Sequence, residues 1–212
     1  MTAPRRALVL VDIQQEYFSG ALEVQFPPHA DSLPQILRAI DAANAAGAPV
    51  LAVQHTRGEG APVFDPSSPA FALHPEVAAR RRETWKGIVK QHGSIYAGTD
   101  VAAWLQEQEV DTVTLVGYMT NNCILASAVE AERLGVNTEV LSDATGAIHL
   151  ANEVGSADAQ TVHTTLMALL NSNLATVATT HEWLGALAAQ RPLPGSDLVS
   201  SATAGARAFP GA

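Results

Sequence analysis

The sequence predicts an α/β protein, a three-layer α/β/α sandwich built on a mainly parallel, Rossmann-like sheet of about six strands. Two observations predict it. Short runs rich in apolar and β-branched residues alternate with helical segments of roughly 10–15 residues, which is the pattern of βαβ units with right-handed crossovers. The first run, ALVLV at 7–11, is apolar throughout, as expected of a strand covered on both faces. With 212 residues, 47% of them hydrophobic, the chain can form one such domain.

The individual elements follow from apolar periodicity and from capping residues. Predicted strands cover residues 7–11, 49–54, 86–90, 112–118, 137–144 and 174–179. Predicted helices begin near residues 31, 99, 121, 156 and 180. Gly47 is placed to end the first helix. Thr179 and Glu182 have the spacing of a capping box for the last helix.

Two segments fall outside this alternation. Residues 56–84 are rich in Gly, Pro and Ser, and we expect them to form a long loop over the functional site. Residues 191–212 form a low-complexity C-terminal tail, which we expect to be disordered or to pack on a partner.

Charge and hydropathy disfavour several classes of function and location. The formal net charge of -9 disfavours binding to nucleic acids or to an anionic membrane surface. No apolar run reaches the roughly 18 residues of a membrane span. The apolar run after Arg5 and Arg6 ends at Asp12, which makes it shorter than the ~7–15 residues of a signal-peptide core. We therefore expect a cytoplasmic protein.

Chemically useful side chains stand where predicted strands end. Ligands of open parallel sheets bind beyond the carboxyl ends of the strands. Asp12 ends the first strand, a costly position for a carboxylate unless it is paired, although it could also cap the next turn. Lys90 ends the third strand, where an ordinary solvated charge is the alternative.

Cys123 is the single cysteine, which excludes an internal disulfide and a multi-thiolate zinc site. It is either a buried filler of the core or a reactive thiol. The segment GYMTNNC leads from a strand into a helix, so Cys123 falls in the first helical turn. The helix dipole there is expected to lower the thiol pKa, and the free N–H groups can bind an oxyanion. A thiol, a carboxylate and an ammonium at one sheet edge favour the reactive thiol.

The sequence resembles the isochorismatase-like cysteine hydrolases, which include nicotinamidases, N-carbamoylsarcosine amidase and ureido- and maleamate amidases. The resemblance runs from about residue 5 to about residue 188, and we expect residues 1–190 to form this domain. Four segments carry it: LVLVDIQQEYF, VKQHGSIYAGTDVAAWL, GYMTNNC and LSDATGA.

The resemblance implies the roles of individual residues. Asp12, Lys90 and Cys123 would be the catalytic triad, with the backbone N–H groups of Met119 and Cys123 as the oxyanion hole. It also implies a cis peptide between Tyr118 and Met119 and a homodimer or homotetramer. We expect no cofactor. The activity implied is cleavage of an amide, ureido or carbamoyl C–N bond in a small molecule through a thioester.

The substrate pocket and the metal are less clearly indicated. Residues next to the strand ends are expected to line the pocket, with simple packing as the alternative: Glu16, Phe18, Gln54, His55, Trp85 and Tyr118. Nicotinamidases hold a metal through Asp-x-His after the second strand. Here that segment reads Val53-Gln54-His55, and no other histidine restores the spacing. We predict no metal and disfavour nicotinamide as substrate.

Three alternatives are weighed against this hypothesis. The branch that cleaves a vinyl ether lacks the cysteine, which disfavours that reaction. A non-catalytic or redox-responsive protein of the same fold would not need the whole triad. A nucleotide-binding domain is disfavoured because no Gly-x-Gly-x-x-Gly follows the first strand.

Overall fold

The computed structural model describes residues 3–211. Its main sheet has six strands, all parallel, in the order β3-β2-β1-β4-β5-β8, which confirms the predicted fold class. These strands are β1 (Arg6–Val11), β2 (Val50–His55), β3 (Lys86–Lys90), β4 (Thr112–Tyr118), β5 (Asn137–Gly146) and β8 (Thr176–Ala178). A separate antiparallel hairpin, β6 (Leu150–Asn152) and β7 (Gly155–Ala157), was not predicted.

Helices cover both faces of the main sheet. They are α1 (His29–Ala46), α2 (Pro75–Ala78), α3 (Val101–Glu107), α4 (Leu125–Leu134), α5 (Ala159–Leu169), α6 (Thr180–Ala188) and α7 (Leu198–Ala208). Side chains of a strand alternate between faces, so β1 contributes to two cores. Leu8 and Leu10 pack with α1 and α6, whereas Val9 and Val11 pack with α3 and α4. This division confirms the three layers.

Several helix boundaries follow local capping chemistry. The capping box of α6 is present as predicted, with Thr179 N donating to Glu182 Oε2 at 2.8 Å and Glu182 N donating to Thr179 Oγ1 at 3.3 Å. The helix expected to open at Ser156 begins later, at Ala159. Ser156 belongs to β7 instead, and Asp158 caps α5 by accepting a hydrogen bond from Thr161 N at 2.6 Å.

The C-terminal segment contains α7, where disorder or packing on a partner was expected. Asp197 caps this helix by accepting a hydrogen bond from Ser200 N at 2.8 Å. The segment before α7 is tied to the sheet, because Arg6 donates to the Arg191 carbonyl at 2.9 Å and Leu193 is buried. None of the helices in residues 3–211 has the length and apolarity needed to cross a membrane.

Candidate active site

The site forms where neighbouring parallel strands end at one edge of the sheet. β1 lies between β2 and β4, and β3 pairs with β2 so that His55 lies beside Lys90. Asp12 follows the last residue of β1, and its N–H donates to the Val53 carbonyl at 3.1 Å. Cys123 comes from the turn that follows β4. The order of the strands therefore brings a carboxylate, an ammonium, an imidazole and a thiol together.

Asp12 has an unusual backbone for a non-glycine residue, with φ of 49° in the left-handed region. Aspartate tolerates this region better than most residues, at a cost on the order of 1 kcal/mol. The chain turns sharply there, because Gln14 N donates to the Asp12 carbonyl at 2.8 Å. The turn ends the extended strand at the point where the carboxylate is needed.

The ammonium of Lys90 is the centre of the site. Its Nζ lies 2.8 Å from Asp12 Oδ2, 3.0 Å from the His92 carbonyl, 3.2 Å from His55 Nδ1 and 3.3 Å from Cys123 Sγ. The Lys90 and Asp12 side chains are fully buried. Burying charges is unfavourable unless they are paired, so this geometry shows a mutually dependent ion pair rather than a solvated lysine.

Cys123 lies in a single π-helical turn, Thr120–Ile124, that leads directly into α4. The peptide bond between Tyr118 and Met119 is cis, as the family resemblance implied. Ser127, one turn further along α4, anchors this segment by donating to the Cys123 carbonyl at 2.6 Å. The predicted oxyanion donors, the N–H groups of Met119 and Cys123, therefore belong to the turn that carries the thiol.

The expectation that the helix terminus lowers the thiol pKa is wrong for the resting site. Burial and the neighbouring charge of Asp12 raise the pKa of Cys123 to about 12, despite the opposing charge of Lys90. Burial also raises the pKa of Asp12, and the Lys90 ammonium opposes that shift. Residues distant in sequence decide both shifts, which is why the helix position alone was misleading. At rest Cys123 is a thiol with a carboxylate beside it that can take its proton.

Asp12, His55 and Cys123 also present a set of possible metal ligands, because their donor atoms all lie within 4.8 Å of one another. Carboxylate, imidazole and thiolate are all ligands that Zn²⁺ accepts. The Lys90 ammonium, however, lies within 3.3 Å of an atom of each of these residues. The Lys90 ammonium thus supplies, next to these three residues, the positive charge that a bound metal ion would otherwise provide.

Gln14, which the sequence analysis did not identify, holds the backbone of His55 in place. Gln14 is buried and brackets the backbone of His55, accepting from its N–H at 2.7 Å and donating to its carbonyl at 3.1 Å. Its amide also donates to the Phe71 carbonyl at 2.9 Å. His55, a predicted pocket residue, lies in the site with its Nδ1 facing Lys90. Gln14 lies just beyond a strand end, which is the one signal that could have identified it.

Aromatic rings form a wall next to the triad. The predicted residues Phe18 and Tyr118 lie in it with ring centroids 5.7 Å apart. Tyr17 was missed from the sequence. Its ring centroid is 5.7 Å from that of Tyr118 and 5.4 Å from that of Phe64. Burial, with the nearby charges of Asp12 and Cys123, raises the Tyr17 pKa well above its usual value.

The other predicted pocket residues have different positions. Glu16 and Gln54 fasten the 56–84 loop: Glu16 accepts from Phe64 N at 3.0 Å, and Gln54 donates to the Phe71 carbonyl at 2.9 Å. Trp85 is not brought to the site. It precedes β3, at the end of that strand opposite to Lys90, and donates to Asn44 of α1 at 2.9 Å. Trp85 was predicted to line the pocket at the carboxyl ends of the strands, whereas it lies at the amino end of β3.

The 56–84 loop covers the site, as expected from its composition. Phe64 packs edge-on against His55, with ring centroids 4.9 Å apart, and both side chains are buried. Asp12, Lys90 and Cys123 are at most 2% exposed. An open cavity of about 400 Å³ lies elsewhere, beside Thr112 and the other first residues of β4, β5 and β8, at the opposite edge of the sheet. The three side chains are therefore shielded from solvent in this conformation.

The fold and the site define a hydrolase-type α/β domain with a buried thiol, carboxylate and imidazole around a lysine. The chain matches the Isochorismatase domain family over residues 6–182. An uncharacterized isochorismatase family protein of Bacillus subtilis is 33% identical over 180 residues, which cover 84% of this chain and 98% of that protein. The chain therefore belongs to the isochorismatase family of hydrolases.

Two further comparisons bear on structure and activity. A crystal structure from Burkholderia xenovorans LB400, provisionally named an isochorismatase, superimposes with a TM-score of 0.93 at 40% identity, covering 98% of this chain and 99% of that one. A maleamate amidohydrolase of Pseudomonas putida is 42% identical over 62 residues, which cover 29% of each chain. The first match therefore extends over nearly the whole of this chain.

Proposed function

We propose that the protein is a cysteine-dependent hydrolase that cleaves an amide, ureido or carbamoyl C–N bond in a small molecule through a thioester. The observation that carries this proposal is the position of the Lys90 ammonium, 2.8 Å from Asp12 Oδ2 and 3.3 Å from Cys123 Sγ. A carboxylate beside a thiol can act as its general base, and a fixed cation stabilises the thiolate that results.

The proposed reaction begins with proton transfer from Cys123 to Asp12. The thiolate attacks the substrate carbonyl carbon, and the backbone N–H groups of Met119 and Cys123 hold the resulting oxyanion. As the C–N bond breaks, Asp12 returns the proton to the leaving nitrogen, which departs as ammonia or an amine. Water then cleaves the thioester, which releases the acid and restores the thiol.

Small carboxamides, ureido acids and N-carbamoyl compounds are the proposed substrate classes. The similarity of part of the chain to a maleamate amidohydrolase supports the choice of an amide. The proposed steps use only protein groups, with no cofactor or metal, so the activity is expected to survive chelation with EDTA. We also propose that the protein is a homodimer or homotetramer, which light scattering can test. We propose that it is cytoplasmic and binds neither nucleic acid nor membranes, and cell fractionation can test its location.

Specific observations disfavour the two alternative functions. A redox-responsive thiol should be exposed and have a lowered pKa. Cys123 is instead buried, and its pKa is raised to about 12. Hydrolysis of a vinyl ether needs no thiol, and such an enzyme would give no reason for placing Cys123 against Lys90 and Asp12.

The test is ammonia release from a panel of small amides and ureido compounds, with the wild type assayed beside Cys123→Ala. The expected result is release by the wild type with a loss of at least about a thousandfold in the variant, because the covalent route is closed. Equal release by both proteins would remove Cys123 from the reaction. An isochorismate-type vinyl ether in the same panel separates the second candidate reaction from the first.

A further inference from the structure

A buried histidine that the proposed reaction does not use contacts the turn that carries Cys123. His163 comes from α5, and its side chain is buried. Its Nδ1 lies 3.0 Å from Thr120 Oγ1, and its Nε2 lies 3.0 Å from the Ser142 carbonyl oxygen. Thr120 is the first residue of the π-helical turn, and Ser142 belongs to β5. One side chain of α5 thus joins the turn to the sheet.

The Ser142 carbonyl faces His163 at a place where the pairing of β5 with β4 is irregular. Residues 115–117 of β4 are opposed by residues 140–145 of β5, and Ser142 lies inside that longer segment. Such a bulge interrupts the ladder of hydrogen bonds between neighbouring strands. A buried carbonyl released from the ladder requires another donor, and the imidazole of His163 provides it.

The two partners of the ring determine which of its nitrogens carries the proton. Burial lowers the His163 pKa from its ordinary value of 6.5, against the opposing effect of the Ser142 carbonyl, so the ring is neutral at neutral pH. A carbonyl oxygen can only accept, so Nε2 carries the single proton of the neutral ring. Nδ1 is then an acceptor, and the hydroxyl of Thr120 donates to it.

We infer that His163 is a positioning residue, which holds the start of the π-helical turn through the Thr120 hydroxyl and so fixes the position of Cys123. The ring itself has little freedom, because Phe26 packs edge-on against it with ring centroids 5.7 Å apart. Met119 directly precedes Thr120, so the two proposed oxyanion donors lie on either side of the anchored residue. The importance of this anchor for turnover rests on the proposed function, whereas the hydrogen bonds exist in the free protein.

Three threonine variants form a matched set that tests the inference. Thr120→Ser keeps the hydroxyl donor, whereas Thr120→Val removes it from a side chain of nearly the same shape. Thr114→Val is the control, because Thr114 is also fully buried but its hydroxyl binds Glu139 and Trp183, outside the site. Both valine variants should lower the urea midpoint, and only Thr120→Val should alter the turn.

The reactivity of Cys123 reports on the turn without a substrate. Because the thiol is buried, a reagent reaches it only when the turn opens. We expect iodoacetamide to alkylate Cys123 about tenfold faster in Thr120→Val than in the wild type at pH 7.5, since opening no longer breaks the hydrogen bond to His163. Thr120→Ser and Thr114→Val should react about as fast as the wild type. Equal rates in the two valine variants would overturn the inference.

A measurement on the wild type avoids any dependence on how the variants fold. Nitrogen-15 NMR of the histidine rings, with His163 assigned by backbone correlation, reports which ring nitrogen carries the proton. A ring with a protonated Nε2 and a bare Nδ1 is expected at pH 7. A protonated Nδ1 would overturn the inference, because the Thr120 hydroxyl would then be the acceptor.

Turnover provides the third measurement, on any amide that the wild type cleaves. We expect kcat to fall about tenfold in Thr120→Val with little change in KM, because the displaced groups act on the reacting carbonyl. Thr120→Ser should recover most of the rate, and a kcat in Thr120→Val no lower than in Thr114→Val would contradict the positioning role. A wild type that releases no ammonia but shows the expected alkylation rates and ring protonation would contradict the proposed hydrolysis and leave the role of His163 intact.

Discussion

Lys90 Nζ lies 2.8 Å from Asp12 Oδ2, and neither side chain has any solvent exposure. Each residue closes its own strand of the sheet, so the ion pair forms only once β1, β2 and β3 have assembled. A buried pair of this kind adds little stability by itself, but removal of one partner leaves the other charged and without compensation. The two charges therefore depend on each other for stability, and together they set the electrostatic potential at Cys123.

Removal of the Lys90 charge should destabilise the protein as well as inactivate it. Lys90→Met is expected to lower the free energy of unfolding by about 3–5 kcal/mol, because Asp12 stays buried without its partner. Addition of Asp12→Leu should restore part of the stability but none of the activity. Lys86→Met is the control, since the Lys86–Asp100 pair is at the surface and should contribute at most about 1 kcal/mol. Urea denaturation measures all four proteins, and a Lys90→Met variant as stable as the wild type would contradict this account.

Loss of the Gln14 amide should loosen both His55 and the covering loop. Gln14→Leu leaves the N–H and carbonyl of His55 without their buried partner, which costs about 1–3 kcal/mol of stability. Ammonia release should fall with it, because the same amide also holds the Phe71 carbonyl of the covering loop. The exposed Gln106 is the control, and Gln106→Leu should change stability by less than about 0.5 kcal/mol. Equal stability of Gln14→Leu and Gln106→Leu would show that Gln14 does not hold the backbone of His55 in place.

His55 should make stability depend on pH in the acidic range. Its folded-state pKa, about 4, is below the ordinary value of 6.5. Between these values the unfolded chain binds more protons than the folded protein, so stability is complete above pH 6.5 and falls as the pH drops toward 4. The loss should be on the order of 2 kcal/mol. Urea midpoints at pH 7 and pH 4.5 should differ less in His55→Asn than in the wild type, and an unchanged difference would refute this origin.

Gly117 should tolerate no side chain. It adopts φ of 106° beside β1, and a Cβ there would lie 2.2 Å from the Val11 carbonyl oxygen and 2.9 Å from the Ile13 side chain. Gly117→Ala is expected to cost more than about 3 kcal/mol or to prevent folding, because backbone atoms rather than a flexible side chain are in the way. Gly185→Ala is the control. It meets no atom within 4 Å on α6 and should be neutral or stabilising. The ratio of soluble to insoluble expression and the Tm of any soluble protein measure the difference.

The features that depend on local pattern could be predicted, and those that depend on the assembled site could not. Alternating apolar runs predicted the sheet, and the strand ends at Asp12 and Lys90 predicted which residues meet. Gln14 carries no such pattern, because its role comes from the backbone of His55, a residue distant in sequence. The thiol pKa of Cys123 was predicted in the wrong direction because burial and the charge of Asp12 outweigh the helix terminus.

Trp85 and the C-terminal segment were misjudged for different reasons. Trp85 precedes β3 in the sequence, so it lies at the amino end of that strand, and the predicted parallel sheet already placed the site at the other end. The helix α7 has a single capping aspartate, Asp197, in a segment of low complexity. Composition indicated disorder there, whereas local hydrogen bonding forms a helix.

In the proposed reaction the Cys123 sulfur becomes covalently bonded to the substrate carbonyl carbon. The most direct test is intact-mass spectrometry of the wild type quenched with acid during turnover of a substrate that releases ammonia, followed by peptide mapping. We expect a mass gain equal to the acyl group, located on Cys123 and removed by hydroxylamine. Steady turnover with Cys123 unmodified, in a protein whose Cys123→Ala variant is equally active, would contradict it.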